Sequence, residues 1–220
     1  MKPKWVIFDA ADTLLRPEPS VASVYQRVAE EHGVYLTTEE ISNRFQPAIR
    51  QYFADEISNE ELDYRRWRDL VFDVLQTSDD SAFDALWSHF AKANNWQLYQ
   101  DVPPAWHWLA ENGYRLAIAS NFDRRLFGIV SSLPPIHQAE HVFISSQLGF
   151  RKPSSHFFRM IERELGEPPD QLMLIGDSRR ADFDGASNTG WQALHLDRSC
   201  EVNRFPTIRR LTGVIEFFGN

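Results

Sequence analysis

Short apolar runs alternate with helical stripes through most of this chain, and most of the runs stop at polar residues. Residues 4–9 form the first run, ending on Asp9. Leu116 to Ala119 stops at Ser120-Asn121. Val142-Phe143-Ile144 is followed by a loop carrying Lys152, and Leu172 to Ile175 stops at Gly176-Asp177. Trp191 to Leu196 is a fifth run. Between them lie helical patterns. One opens at Asp101 with Pro103 and Pro104 and closes at Gly113. A second carries Leu126, Ile129, Val130 and Leu133 up to Pro134-Pro135. Others span Ser154 to Leu165 before Gly166, and Ala181 to Asn188 before Gly190, with a last helix expected from Thr207. Strands of this length alternating with helices predict a parallel, doubly wound α/β sheet. Ligands of such sheets bind at the carboxyl ends of the strands.

The alternation is interrupted once, after the first strand. From Ser20 to about residue 95 the pattern is helical only. Val21, Val24, Tyr25, Val28 and Ala29 recur at intervals of three and four, a buried helix face. Thr37-Thr38-Glu39-Glu40 and Ser58-Asn59-Glu60-Glu61 both read as capping boxes. They lead into stripes of Ile41, Phe45, Ile49, Tyr52 and Phe53, and of Trp67, Leu70, Val71, Val74 and Leu75. Pro47 is expected to kink or divide the first of these. Phe83, Leu86, Trp87, Phe90 and Ala91 form a fourth stripe. Four successive amphipathic helices describe a bundle with its own core. The expected division is a core of residues 1–15 and 99–220 with a helical cap, 16–98, inserted over the edge of the sheet. The spacing of the cap aromatics assigns them first to the bundle core.

Bulk properties narrow the function. With 31 acidic residues against 23 Lys and Arg, a net charge of -8, a broad nucleic-acid interface is not expected. A single cysteine, Cys200, excludes an intrachain disulfide and a thiolate metal cluster. The apolar run after the basic start meets Asp9 too early for a signal peptide, and no stretch reaches membrane-spanning length. A soluble cytoplasmic protein, monomer or homodimer, is the expectation.

A lone aspartate, lysine or serine after a strand is ordinary turn chemistry. Asp9, Ser120-Asn121, Lys152 and Asp177 with Asp182, in that order on alternating elements, are not. With Phe8-Asp9-Ala10-Ala11-Asp12-Thr13-Leu14, Ala119-Ser120-Asn121-Phe122-Asp123-Arg124-Arg125-Leu126, Phe150-Arg151-Lys152-Pro153 and Ile175-Gly176-Asp177-Ser178, the sequence resembles the haloacid dehalogenase-like (HAD) hydrolases. It is most similar to the branch whose helical cap follows the first strand.

The resemblance implies a Rossmann-like core and a phosphatase acting on a small phosphorylated metabolite. Asp9 would be the nucleophile, forming an aspartyl-phosphate. Thr13 would orient the site, Ser120 and Asn121 would hold phosphate oxygens, and Lys152 would neutralise the developing charge. Asp9, Asp177, Asp182 and the Ala11 carbonyl would hold magnesium (Mg2+), which favours hard oxygen ligands. Asp184 is a rival ligand with poorer spacing.

Family phosphatases carry a second aspartate two residues after the nucleophile, to protonate the leaving group and activate water. Here that residue is Ala11. The neighbouring Asp12 is expected to stabilise the turn rather than substitute for it. Such a loss removes about 10²–10⁴-fold of rate, or about 3–5 kcal/mol. Four alternatives are weighed. A 2-haloacid dehalogenase also lacks the second aspartate but is expected to lack an acid at position 177. A phosphonate hydrolase needs a cap lysine, and only Lys92 is available. A non-catalytic, phosphate-sensing module would explain Ala11 but not the retained acids. A receiver domain, with its own aspartate cluster and lysine, has no use for the helical block.

Overall fold

The structure, a computed structural model, describes residues 2–219. The chain enters on β1 (Trp5–Phe8) and leaves the core through β2 (Leu15–Pro17). It then forms α1 (Val21–Glu31), α2 (Thr38–Tyr52), α3 (Glu60–Leu75) and α4 (Asp80–Phe90), and returns through β3 (Trp96–Leu98). The core resumes with α5 (Val102–Glu111), β4 (Arg115–Ser120), α6 (Arg125–Ser131), β5 (His141–Ile144) and α7 (Ser145–Leu148). It finishes with α8 (Ser155–Leu165), β6 (Leu172–Gly176), a π-helical turn Arg179–Asp184, α9 (Gly185–Asn188), β7 (Gln192–Leu196), β8 (Thr207–Ile208) and α10 (Gly213–Gly219).

The strands lie in the order β5-β4-β1-β6-β7-β8, and every neighbouring pair is parallel. The chain winds outward from β1 through β4 to β5, then crosses to β6 on the other side. β1 therefore sits at the point where the winding reverses, the usual ligand position in open α/β sheets. Both faces are covered, which is why the strands read as continuous apolar runs. Val6, Phe8, Ile118 and Ile175 pack with Trp106 and Leu109 of α5 and Leu126 and Ile129 of α6. Trp5, Ile7, Ala117 and Leu174 turn the other way, onto Phe157, Phe158 and Ile161 of α8.

The four cap helices bury a cluster of their own, including Val24, Tyr25, Val28, Ile41, Leu70, Val74, Leu75, Phe83 and Leu86. Ser20 caps α1, accepting from the Ser23 N–H. Thr37 and Glu40 form the reciprocal box on α2, and Pro47 lies inside that helix without ending it. The second box does not form. Asn59 caps α3 by accepting from Leu62, while Ser58 turns its hydroxyl toward Asp63 and toward Ser145 of the core.

Other expectations are also corrected. β2 and β3 pair antiparallel, so the two crossings between core and cap form one ribbon. Residues 207–208 are a sixth strand rather than the start of the last helix, because they reach the free edge of β7 and pair there. The helix expected from residue 181 begins instead as the π-helical turn.

Candidate active site

Asp9 follows β1 directly, its N–H donating to the Ile175 carbonyl of β6 at 2.9 Å. The central strand thus aims a carboxylate between the ends of β4 and β6. Asp177 follows β6, and Thr13 fixes it twice. The Thr13 hydroxyl donates to Asp177 Oδ1 at 3.1 Å and accepts from the Asp177 N–H at 3.0 Å. Asp182 is turned back toward the strand by the π-helical turn, a device common at functional sites. Its Oδ2 accepts from the Ser178 N–H at 3.0 Å. A Cβ added at Gly176 would lie 2.3 Å from the Asp182 carboxyl carbon, so the close approach demands glycine at the end of β6.

Lys152 ties the group together. Its Nζ donates to Asp9 Oδ1 at 2.7 Å, to Asp182 Oδ1 at 2.6 Å and to the Ala119 carbonyl at 2.8 Å. The lysine side chain is 1% exposed and that of Asp182 2%. Burial alone would favour the neutral amine, but Asp182 and Asp9 outweigh it and hold Lys152 charged. Burial, with Asp9, raises the Asp182 carboxyl despite Lys152. Asp177 is pushed up to about 7 by burial and by the negative charge of Asp9, Asp182 and Asp12.

The candidate ligand oxygens of Asp9, Asp177 and Asp182 lie within 4.8 Å of one another. Three carboxylates face one ammonium, so the pocket carries uncompensated negative charge on hard oxygen donors. That donor set fits a divalent cation such as magnesium. Asp184 does not join it; it pairs with Arg179 on the surface at 3.0 Å.

Ser120 ends β4 as a buried residue. The Asn121 side chain engages the Lys152 backbone. It accepts from the Lys152 N–H at 2.7 Å and donates to the Lys152 carbonyl at 2.9 Å, fixing the loop that delivers the lysine. Ala11 lies in the loop after Asp9, bridged to Leu15. Asp12 adopts a left-handed φ of 60°, its N–H donating to the Leu15 carbonyl at 2.8 Å. Burial, with the charge of Asp9, raises its carboxyl despite Tyr99 and Arg198.

Two elements escaped the sequence reading. Arg198, just beyond β7, donates to the Thr13 carbonyl at 2.8 Å and the Asp12 carbonyl at 3.4 Å while pairing with Asp101 at 2.9 Å. It clamps the loop that follows Asp9. Its only signal was its place after the fifth strand. The second is a latch between cap and core. Arg151 donates its N–H to the Glu56 carbonyl at 2.8 Å and its guanidinium to buried Asp63 of α3 at 2.9 Å. Beside the latch opens a cleft of about 460 Å³ between α2, α3 and the Lys152 loop.

A parallel doubly wound sheet with an inserted helical cap, and an Asp–Lys–Asp–Asp cluster at its winding reversal, define a capped α/β hydrolase. The chain belongs to the haloacid dehalogenase-like hydrolases, whose family model matches residues 3–190. It is 27% identical to mouse (Mus musculus) haloacid dehalogenase-like hydrolase domain-containing protein 3, over 83% of this chain and 77% of the relative. It is also 27% identical to glyceraldehyde 3-phosphate phosphatase of Methanopyrus kandleri, over 89% and 84%. The crystal structure of a HAD phosphatase from Thermococcus onnurineus shares the fold. Its TM-score is 0.71 at 21% identity, covering 100% of this chain and 98% of that one. Among the described residues no helix is long and apolar enough to cross a membrane.

Proposed function

We propose that the protein hydrolyses small organic phosphate monoesters through an aspartyl-phosphate at Asp9, with magnesium. The observation that carries this reading is the contact of Lys152 with both Asp9 and Asp182 inside a cluster of three carboxylates. Phosphatase names among the relatives support it. Asp9, Asp177, Asp182 and the Ala11 carbonyl would hold the ion, which would supply charge neutralisation. The remaining chemistry belongs to the chain. An Asp9 oxygen attacks phosphorus as the ester P–O bond breaks. Lys152 orients Asp9 through their 2.7 Å contact and balances charge on the phosphoryl oxygens, in a site where burial strengthens the attraction. Ser120 contributes a hydroxyl to those oxygens.

The leaving oxygen departs with the bonding pair. Ala11 has no proton to give it, and Asp12, the next residue on a left-handed turn, points away from its neighbour's direction, so protonation falls to solvent. The second step, attack of water on the acyl-phosphate, likewise lacks a base. Substrates whose leaving groups are stable anions, aryl and acyl phosphates, are therefore favoured over alkyl and sugar phosphates. The retained Asp177 argues against haloacid dehalogenation. Ala11 is the one observation favouring a phosphate-sensing module.

The test is turnover of a chromogenic aryl phosphate with and without magnesium, repeated with Asp9→Asn. Magnesium-dependent turnover abolished by Asp9→Asn is expected. Turnover that survives the substitution removes Asp9 as nucleophile. No turnover, with magnesium still bound, favours the sensing module.

A further inference from the structure

The cleft beside Lys152 has walls the phosphoryl chemistry does not use. Phe53 at the end of α2 and Trp67 of α3 are half-buried, their ring centroids 4.9 Å apart, and both line it. These two aromatics belong to the substrate side of the cap rather than to its core alone. The charges around the cleft sort into spent and unspent. Asp63 pairs with Arg66 and Arg151, Asp55 with Arg66, and Asp123 with Arg125. Arg50 of α2 and Arg180 of the π-helical turn also line the cleft. Both are exposed, and neither has an ion pair or side-chain hydrogen bond among the described residues. Glu56 is the acid of the lining left without a partner, so the unspent charge is positive. One arginine comes from the cap and the other from the loop that carries Asp182, and they share a cleft whose floor is the Lys152 loop.

We infer that this cleft is a second anion subsite. It takes a flat, apolar substrate body against Phe53 and Trp67, with a carboxylate or second phosphoryl group at the far end held by Arg50 and Arg180. This rests on the phosphatase reading and narrows its substrate class to phosphate esters with a distal anion. Arginine suits the task because its planar fork matches carboxylate and phosphoryl oxygens. The flat body also agrees with the chemistry at Asp9, since an aryl leaving group needs no proton.

Binding tests this independently of turnover. The affinities of para-phosphonobenzoate and the isosteric para-phosphonobenzamide, and of their homologues one methylene longer, are measured by calorimetry in magnesium buffer. The acid of at least one pair is expected to bind about tenfold tighter than its amide, the ratio one charge-assisted hydrogen bond supplies. That gap is expected to close in Arg50→Ala and in Arg180→Ala. A para-phenylene diphosphonate arm distinguishes the sources: tighter binding than the carboxylate names a second phosphoryl group, weaker binding names a carboxylate. Equal affinity of acid and amide in the unaltered protein, or a gap that persists in both variants, overturns the subsite. A gap that behaves as expected in a protein that turns over no phosphate keeps the subsite and overturns the phosphatase reading instead.

Discussion

Lys152→Met is the sharpest probe of the charge balance at the sheet edge. Methionine keeps the length and the apolar stem and removes only the ammonium. Three hydrogen bonds of 2.6–2.8 Å disappear with it. Asp182, buried beside the lysine, keeps its charge without a partner. Removing one member of a buried ion pair costs about 3–5 kcal/mol. The protein can escape part of this by protonation. Carboxyl groups raised by burial above their unfolded values destabilise most above the folded pKa, and the penalty fades as pH falls toward the unfolded value. Burial already raises Asp177 and Asp182, and loss of the ammonium that holds the Asp182 carboxyl down raises Asp182 further. Urea unfolding without metal should therefore show a loss of about 3–5 kcal/mol at alkaline pH. The loss should shrink in mildly acidic buffer, and added magnesium should offset part of it. A pH-independent loss, or a loss below about 1 kcal/mol at alkaline pH, the size of a surface pair, would refute the buried-charge reasoning.

Three further outcomes follow from the same geometry. With Asp177 pushed up to about 7, mainly by burial, the metal-free protein should gain thermal stability as pH is lowered through 7. Its magnesium affinity should fall over the same range, because the proton competes for Asp177; calorimetric titration at several pH values checks both. Gly176→Ala drives a methyl group into the Asp182 carboxyl, and should cost about 1–3 kcal/mol in chemical unfolding together with most magnesium binding. Ala11→Asp restores a proton donor and should raise kcat/KM, which reports the leaving-group step, by about 10²-fold or more for alkyl phosphates, with a smaller gain in kcat/KM for aryl phosphates. Equal gains on both would mean that leaving-group protonation is not what the site lacks.

The core was legible because the central strands β1, β4 and β6 are buried on both faces and each is closed by polar residues. Asp9, Ser120, Lys152 and Asp177 could be placed from that punctuation alone. Asp182 could not: its approach to Lys152 depends on the π-helical turn, which no periodicity announces. The β2–β3 ribbon, three residues on each side, is too short to carry an alternating pattern. Thr207-Ile208 is a strand only because the edge of β7 lies beside it. Ser58 matched a capping box in sequence, but a buried partner in Asp63 and a core hydroxyl in Ser145 competed for its side chain and won. The Asn121 carboxamide holds the backbone of Lys152, a pairing no local pattern announces. The clamp by Arg198 and the latch through Arg151 join residues far apart in the chain, and local sequence carries no trace of such pairings.

Pre-steady-state kinetics with a chromogenic aryl phosphate and magnesium tests the central claim most directly. On the proposed route, Ala11 would deprive hydrolysis of the acyl-phosphate of a base more than it would impede departure of an aryl leaving group. A burst of aryl alcohol approaching one equivalent per site is therefore expected, then slower turnover. Acid quench during the slow phase should trap a phosphoryl adduct on Asp9, seen by peptide mass mapping and absent in Asp9→Asn. Turnover without a burst or adduct, at a rate unchanged by Asp9→Asn, would contradict a covalent route through Asp9.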